Sequence, residues 1–294
     1  MIEVIFGIVL LIFGGEIAIN TSEKISKKFG ISNLTIGLSL IAIMTSLPEI
    51  FTNIASGIEN EANIALGNVY GSNSSNALLI GGIALIFGVH QKKYKKISNY
   101  LAVIAPIILY FFCLNSEITQ LESIILIFLY IFFSKTLFPN KKTKIKKERK
   151  LEIKLFFNIA ASILLLWIGG NMAVEGAISL SKNFGWSEAF SGLILGFGTS
   201  LPELTVTFAA IKKKNLEMVS GNLIGSNIIN PLVAMPFVTI SGNMSIANNS
   251  EMIWWAVAGT IMYIFGTIQK EGVKKIIGAM SIALFVLLIL NQSG

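Results

Sequence analysis

Two glutamates define the chemistry open to this chain. Glu49 ends the stretch Thr45-Ser46-Leu47-Pro48-Glu49, and Glu203 ends an identical one, Thr199-Ser200-Leu201-Pro202-Glu203. Each stretch lies inside a long apolar run, where a carboxylate is costly unless it faces a cavity or a cation. The proline offers no N–H and crowds the preceding turn, so it breaks the helix and frees carbonyl oxygens beside the Thr and Ser hydroxyls. Downstream of each stretch stands Gly-Asn-x-x-Gly-Ser-Asn, at 67–73 and at 221–227, followed by Asn76 and Asn230. Ser72 and Asn76 are four residues apart, as are Ser226 and Asn230, so each pair shares a helix face.

The candidate ligands are therefore Glu49, Glu203, Thr45, Thr199, Ser46, Ser200, Ser72, Ser226, Asn76 and Asn230, together with loosened carbonyls. All are hard oxygen donors. The chain has no aspartate, one histidine (His90) and one cysteine (Cys113). An oxygen-only set selects Ca²⁺, Mg²⁺ or alkali ions over zinc or copper. Ca²⁺ accepts an irregular shell of about 6–8 oxygens, whereas Mg²⁺ demands a tight octahedron. One Ca²⁺ neutralises two carboxylates, and so would at least two Na⁺. That equivalence suggests exchange through one pocket filled alternately by one divalent or several monovalent ions. With no Ser/His or Cys/His constellation, no enzyme activity and no cofactor are expected.

The elements that hold these residues must cross a membrane. Hydrophobic residues make up 53%, charged residues 13%, and mean hydropathy is +0.73. Several apolar runs are long enough to cross ~30 Å of hydrocarbon. Ten spans are predicted, at about 3–22, 31–57, 62–89, 97–114, 118–137, 153–180, 187–211, 216–240, 250–268 and 273–291. Met1-Ile2-Glu3 lacks the basic start of a secretory signal, so the first run is kept as a helix. Cys113 has no partner for an intrachain disulfide, and His90 reads as a solvated loop residue.

The net charge of +7 is distributed by side. Alternate loops hold Lys24, Lys27 and Lys28; Lys92, Lys93, Lys95 and Lys96; the run from Lys141 to Lys154; Lys212, Lys213 and Lys214; and Lys270, Lys274 and Lys275. The intervening loops hold Lys182 with Glu59, Glu61, Glu117, Glu188 and Glu251. Cytoplasmic loops carry such a lysine excess. The pattern places both termini outside a cell membrane and the basic loop 138–154 in the cytoplasm. The charge is thus a topology signal, with attraction to anionic lipid as a secondary effect, and no nucleic-acid partner is expected. Trp254-Trp255 and Trp186 read as interface anchors, and Glu16 and Glu175 as groups at the rim of their spans.

The chain also repeats itself. Gly14-Gly15 recurs as Gly169-Gly170, and Ser26 to Gly30 has its counterpart at Ser181 to Gly185, 155 residues on. From Thr45 the offset is 154, so one residue is lost between Gly185 and Thr199. Five spans per copy is an odd number, so the copies are inverted in the membrane, a common transporter plan. The expectation is an all-α membrane protein of ten transmembrane helices in two inverted five-helix repeats: 1–137, a basic loop 138–154, and 155–294. Both polar faces should converge with Glu49 and Glu203 on the pseudo-twofold axis. The Gly67/Gly71 and Gly221/Gly225 pairs also read as small-residue packing motifs.

These residues resemble the repeats of the sodium/calcium exchanger family, within the calcium/cation antiporter superfamily, over nearly the whole chain. The resemblance implies that Glu49 and Glu203 ligate Ca²⁺, aided by the carbonyls of Thr45 and Thr199. It implies Na⁺ sites at Ser46, Ser72, Ser200 and Ser226, and Asn76 and Asn230 lining the centre. It also implies a first and a sixth helix that slide to alternate access. The family usually has glycine before Thr-Ser; Gly198 matches and Met44 departs. Asn230 stands where the potassium-dependent branch carries aspartate, which argues against K⁺ cotransport. The glutamate that the proton-coupled branch carries after Gly-Asn is also missing, which disfavours Ca²⁺/H⁺ exchange. The expected function is Na⁺/Ca²⁺ antiport, independent of K⁺, by a protein working as a monomer in membrane lipid. The alternatives are a Ca²⁺/H⁺ or other cation antiporter and, from another class, a cation channel.

Overall fold

The computed structural model describes residues 2–89, 96–137, 153–183, 197–246 and 250–292. These form helices α1 (Ile2–Phe29), α2 (Asn33–Thr45), α3 (Leu47–Ile58), α4 (62–86), α5 (Lys96–Phe112), α6 (Gln120–Leu137), α7 (Ile153–Asn183), α8 (Leu201–Lys212), α9 (Leu216–Ser241), α10 (Ser250–Thr267) and α11 (Glu271–Gln292). His90, Trp186, the Glu175 side chain, the loop 138–152 and the point of residue loss before Gly198 lie outside the described residues.

By length and composition, four stretches can cross a membrane: Ile5–Phe29, Ile153–Met172, Leu216–Ser241 and Glu271–Leu290. The pair α2 and α3, bent by 41° at its break, makes a fifth if counted as one span. Ile97–Phe112, Gln120–Ser134 and Met252–Thr267 are apolar but shorter.

The proline breaks occur where the sequence places them, with one refinement. The helix stops at Ser46 (φ −85°, ψ 4°) and restarts at Leu47, so Pro48 opens α3 instead of kinking its interior. Ser200 (φ −89°, ψ 4°) and Pro202 do the same for α8. In the first turn the missing N–H would have had no intrahelical partner, so proline is tolerated there. Glu49 and Glu203 consequently sit in the first turn of their helices. A carboxylate is favoured at that positive end of the helix dipole.

Three helices also loosen within their length. α2 takes π-type turns over Gly37–Ile41, α4 over Ser75–Ile80 and α9 over Asn230–Ala234. Such turns arise where the regular ladder yields to a local demand, frequently at functional sites. A two-residue ribbon was not expected: Glu117–Ile118 pairs antiparallel with Met244–Ser245 and ties the α5–α6 turn to the chain after α9.

The molecule is apolar outside and polar at its centre. Phe6, Phe13, Phe128, Phe132, Phe156, Leu287 and Trp254 are exposed on outer faces. In water such a surface would be a liability, but in lipid it is the solvated one.

Glycines govern the close crossings. A Cβ on Gly169 would lie 2.8 Å from Gly7 O, and one on Gly14 3.1 Å from Leu165 Cβ, so α1 and α7 pack nearly backbone to backbone. A Cβ on Gly221 would meet Leu34 O at 2.5 Å, and one on Gly225 would meet Leu38 O at 2.8 Å, where α2 crosses α9. The packing reading therefore holds for the second motif. In the first, Gly67 has no described neighbour within 4 Å, and Gly71 has only Met252 Cε at 3.9 Å.

Candidate cation site

The two breaks bring Glu49 and Glu203 into the interior, and both are fully buried. Ser72, which holds Glu49, lies 3.1 Å from Ser200 at the break just before Glu203, so the two breaks meet and bring their carboxylates to one region. Each is held by the serine of the Gly-Ser-Asn motif in its own half. Ser72 Oγ donates to Glu49 Oε1 at 2.7 Å, and Ser226 Oγ donates to Glu203 Oε1 at 3.3 Å. The second oxygen of each carboxylate, Oε2, has no hydrogen-bond partner among the described residues. A buried ionised oxygen without a donor costs several kcal/mol, roughly, unless a cation approaches it.

Hydroxyls and amides knit the halves together. Ser72 Oγ lies 3.1 Å from Ser200 Oγ, and Asn230 Nδ2 donates to Ser72 Oγ at 3.1 Å. Thr45 Oγ1 reaches Asn222 Oδ1 at 3.1 Å and also interacts with the Glu203 carboxylate. All ten sequence-predicted residues are buried, and these contacts tie seven of them into two clusters: Glu49, Ser72, Ser200 and Asn230 in one, and Thr45, Glu203 and Ser226 in the other. Ser46 Oγ and both amide atoms of Asn76 are buried without a hydrogen-bond partner among the described residues. Thr199 is buried at the second break.

This arrangement offers a cation a cluster of hard oxygens around two carboxylates. Among the described residues no three His, Cys or acidic side chains gather. Ligation at this centre would therefore combine two charges with neutral oxygens, which suits Ca²⁺ or Na⁺ better than a soft metal.

A family model described as "Sodium/calcium exchanger protein" matches residues 2–138 and 154–294. The chain belongs to the sodium/calcium exchanger family. Members of this family exchange cations, Ca²⁺ among them, across membranes. An uncharacterized membrane protein of Methanocaldococcus jannaschii is 29% identical over 97% of this chain and 95% of its own length. The sodium/calcium exchanger MaX1 of Methanosarcina acetivorans is 28% identical, over 84% of each chain. The solved structure of the sodium-calcium exchanger NCX_Mj, soaked with Na⁺ and Sr²⁺, superposes with a TM-score of 0.85 at 25% identity, covering 98% of this chain and 97% of that one.

Against the family's usual glycine, Met44 is buried and its sulfur lies 3.7 Å from Ser162 Oγ of α7. The side chain thus fills a seam between α2 and α7. At the rim, Glu16 pairs with Lys212 at 2.9 Å on an exposed face, away from the buried centre.

Sequence reasoning missed part of the polar interior. Asn53 and Asn68 hydrogen-bond each other at 2.9 Å beside Glu49. Asn73 and Asn227 join the halves, and Asn227 Nδ2 also donates to Thr260 Oγ1 at 2.9 Å. Asn68, Asn73, Asn222 and Asn227 stand inside the repeated motif, so duplication signalled them. Asn53 was detectable only as the residue one helical turn beyond Glu49.

Proposed function

We propose that this chain is a secondary antiporter exchanging Na⁺ for Ca²⁺ by alternating access, without K⁺. One observation carries the reading: two buried carboxylates, each with one oxygen that has no hydrogen-bond partner among the described residues, sit in hydroxyl and amide clusters that each draw on both halves of the chain. Glu49 and Glu203 are the Ca²⁺ ligands, with the Thr45 and Thr199 carbonyls beside them. Ser46, Ser72, Ser200 and Ser226 build flanking Na⁺ sites, and Asn76 and Asn230 line the centre. An empty centre would leave two charges in low dielectric, so one side's ion leaves only as the other's arrives.

The proposal includes the architecture: ten transmembrane helices in two inverted repeats, 1–137 and 155–294, joined by a cytoplasmic basic loop at 138–154. Both termini face outside, and the monomer is the working unit. Local geometry at the two copies supports the repeat. The breaks at Ser46 and Ser200 have nearly the same dihedrals, and Asn60 and Lys214, 154 residues apart, both adopt positive φ (59° and 56°). The amide of Asn230 in place of an acid supports independence from K⁺.

The test is uptake of ⁴⁵Ca²⁺ into proteoliposomes loaded with Na⁺, with and without K⁺ and with and without a pH gradient. Uptake should require the outward Na⁺ gradient alone. Uptake driven only by protons would replace the reading with Ca²⁺/H⁺ exchange, a K⁺ requirement would remove its last clause, and unitary currents without countertransport would replace it with a channel.

A further inference from the structure

Two polar stripes leave the candidate cation centre together. On α3, Glu49, Asn53 and Ser56 follow one another at spacings of four and three, and all three are buried. On α4, Asn76, Ser72 and Asn68 run the other way at spacings of four. The stripes meet through Asn68, whose Nδ2 donates to Asn53 Oδ1 at 2.9 Å and to the Glu49 main-chain carbonyl at 3.4 Å. That geometry leaves Asn68 Oδ1 and Asn53 Nδ2 buried with no hydrogen-bond partner among the described residues. Beyond them α3 ends in a turn closed by Glu61 N on Ser56 O at 2.8 Å, with Glu59 and Glu61 exposed to the surroundings.

We propose that Asn68, held by Asn53, is a transit station for cations between Glu49 and the acidic turn at 59–61. A cation leaving a carboxylate must regain oxygen ligands at each step, and a buried amide oxygen with no donor is suited to supply one. The Glu49 carbonyl and Asn53 Oδ1 both accept from Asn68 Nδ2, which fixes the amide and leaves its Oδ1 as the oxygen open to a cation. The exposed carboxylates at the mouth raise the local cation concentration.

The corresponding place in the second half is built differently. Asn222 stands 154 residues after Asn68, but its Oδ1 is taken by the Thr45 hydroxyl at 3.1 Å. Thr207 replaces Asn53, Ala210 replaces Ser56, and Lys213 and Asn215 replace Glu59 and Glu61. At this position the free amide oxygen and the acidic turn therefore belong to the first half, and the station serves one side of the membrane.

This inference rests on the exchange reading, and the experiment separates the two. Wild type, Asn68→Ala, Asn68→Asp and Asn68→Leu are reconstituted for Na⁺-driven ⁴⁵Ca²⁺ uptake, and equilibrium ⁴⁵Ca²⁺ binding is measured on the same proteins in detergent. In Asn68→Ala, exchange is expected to slow by about tenfold, one decade of transit barrier. Its equilibrium Ca²⁺ affinity should stay within about twofold of wild type. Asn68→Asp restores an oxygen and should recover the rate, while Asn68→Leu should not. The proposal is overturned if Asn68→Ala exchanges at the wild-type rate, if affinity falls as far as rate, or if Asn68→Asp is as slow as Asn68→Leu. Should Asn68→Ala fail to fold, Asn68→Asp and Asn53→Ala decide by the same comparison. Wild type without Na⁺-driven uptake would overturn the exchange reading itself, and this one with it.

Discussion

Asn73 and Asn227 exchange hydrogen bonds through each other's backbone. Asn73 Nδ2 donates to the Asn227 carbonyl at 3.2 Å, and Asn227 Nδ2 donates to the Asn73 carbonyl at 3.4 Å. The two residues are 154 apart and occupy the same place in the repeated motif. Asn73 Oδ1 also accepts from Asn230 Nδ2 at 3.1 Å, so this clasp supports the ion-facing amide.

Asn73→Ala and Asn227→Ala should each lower stability by about 1–3 kcal/mol, because each leaves a buried carbonyl without its donor. The pair shares one clasp, so the double variant should lose less than the two singles combined. Thermal unfolding of the detergent-solubilised protein checks both statements; full additivity would mean that the two bonds act independently.

Glu49→Gln and Glu203→Gln should each abolish Ca²⁺ transport. An amide keeps the shape and the hydrogen bond to Ser72 or Ser226 but removes half the anionic charge that must replace the ion's hydration. Isothermal titration with Ca²⁺ is the direct measurement. Wild-type affinity in both variants would remove these glutamates from the site.

Gly225→Ala should fold poorly, whereas Gly71→Ala should be tolerated. The two glycines hold the same motif position, yet the added methyl on Gly225 would meet Ala42 Cβ at 2.6 Å and Leu38 O at 2.8 Å. On Gly71, the described neighbour is Met252 Cε at 3.9 Å, an ordinary contact with a flexible side chain. Yield and unfolding temperature of the two variants should differ clearly, since overpacking against backbone costs on the order of 1–3 kcal/mol.

Asn230→Asp should strengthen cation binding and make it pH dependent. Asn230 Nδ2 now donates to Ser72 Oγ and to Asn73 Oδ1. A protonated aspartic acid can keep one of those bonds, and an ionised aspartate keeps neither but adds a third negative charge to the centre. Binding should therefore tighten as pH rises and relax towards wild type as the acid is protonated. Ca²⁺ titrations across a pH series, with wild type alongside, measure the difference, and parallel curves for the two proteins would exclude the effect.

Much of the candidate site was legible before any coordinates. A carboxylate and a proline in an apolar run are each disfavoured, and meeting both twice, followed each time by Gly-Ser-Asn, marks the positions where chemistry overrides hydrophobicity. That logic located Glu49, Glu203 and the breaks at Ser46 and Ser200, because it depends only on local composition and helix geometry. The two-residue ribbon at Glu117–Ile118 escaped it, since two residues carry no period, and so did Asn53, which lies outside the repeated motifs and has Thr207 as its counterpart.

Tertiary packing decided what identical motifs became. Ser200 meets Ser72 while Ser46 stays unpartnered; Asn222 gives its amide oxygen to Thr45 while Asn68 keeps its own free. Gly225 lies against a crossing backbone while Gly71 meets only the flexible end of Met252 among the described residues. Each difference is set by which distant helix arrives at a given level. The chain alone determined which side chains are too polar to face lipid. Only the assembled helices determined which of them satisfy one another and which are left for an ion, because hydrogen bonds act over about 3 Å and residues 154 apart reach that range only through the fold.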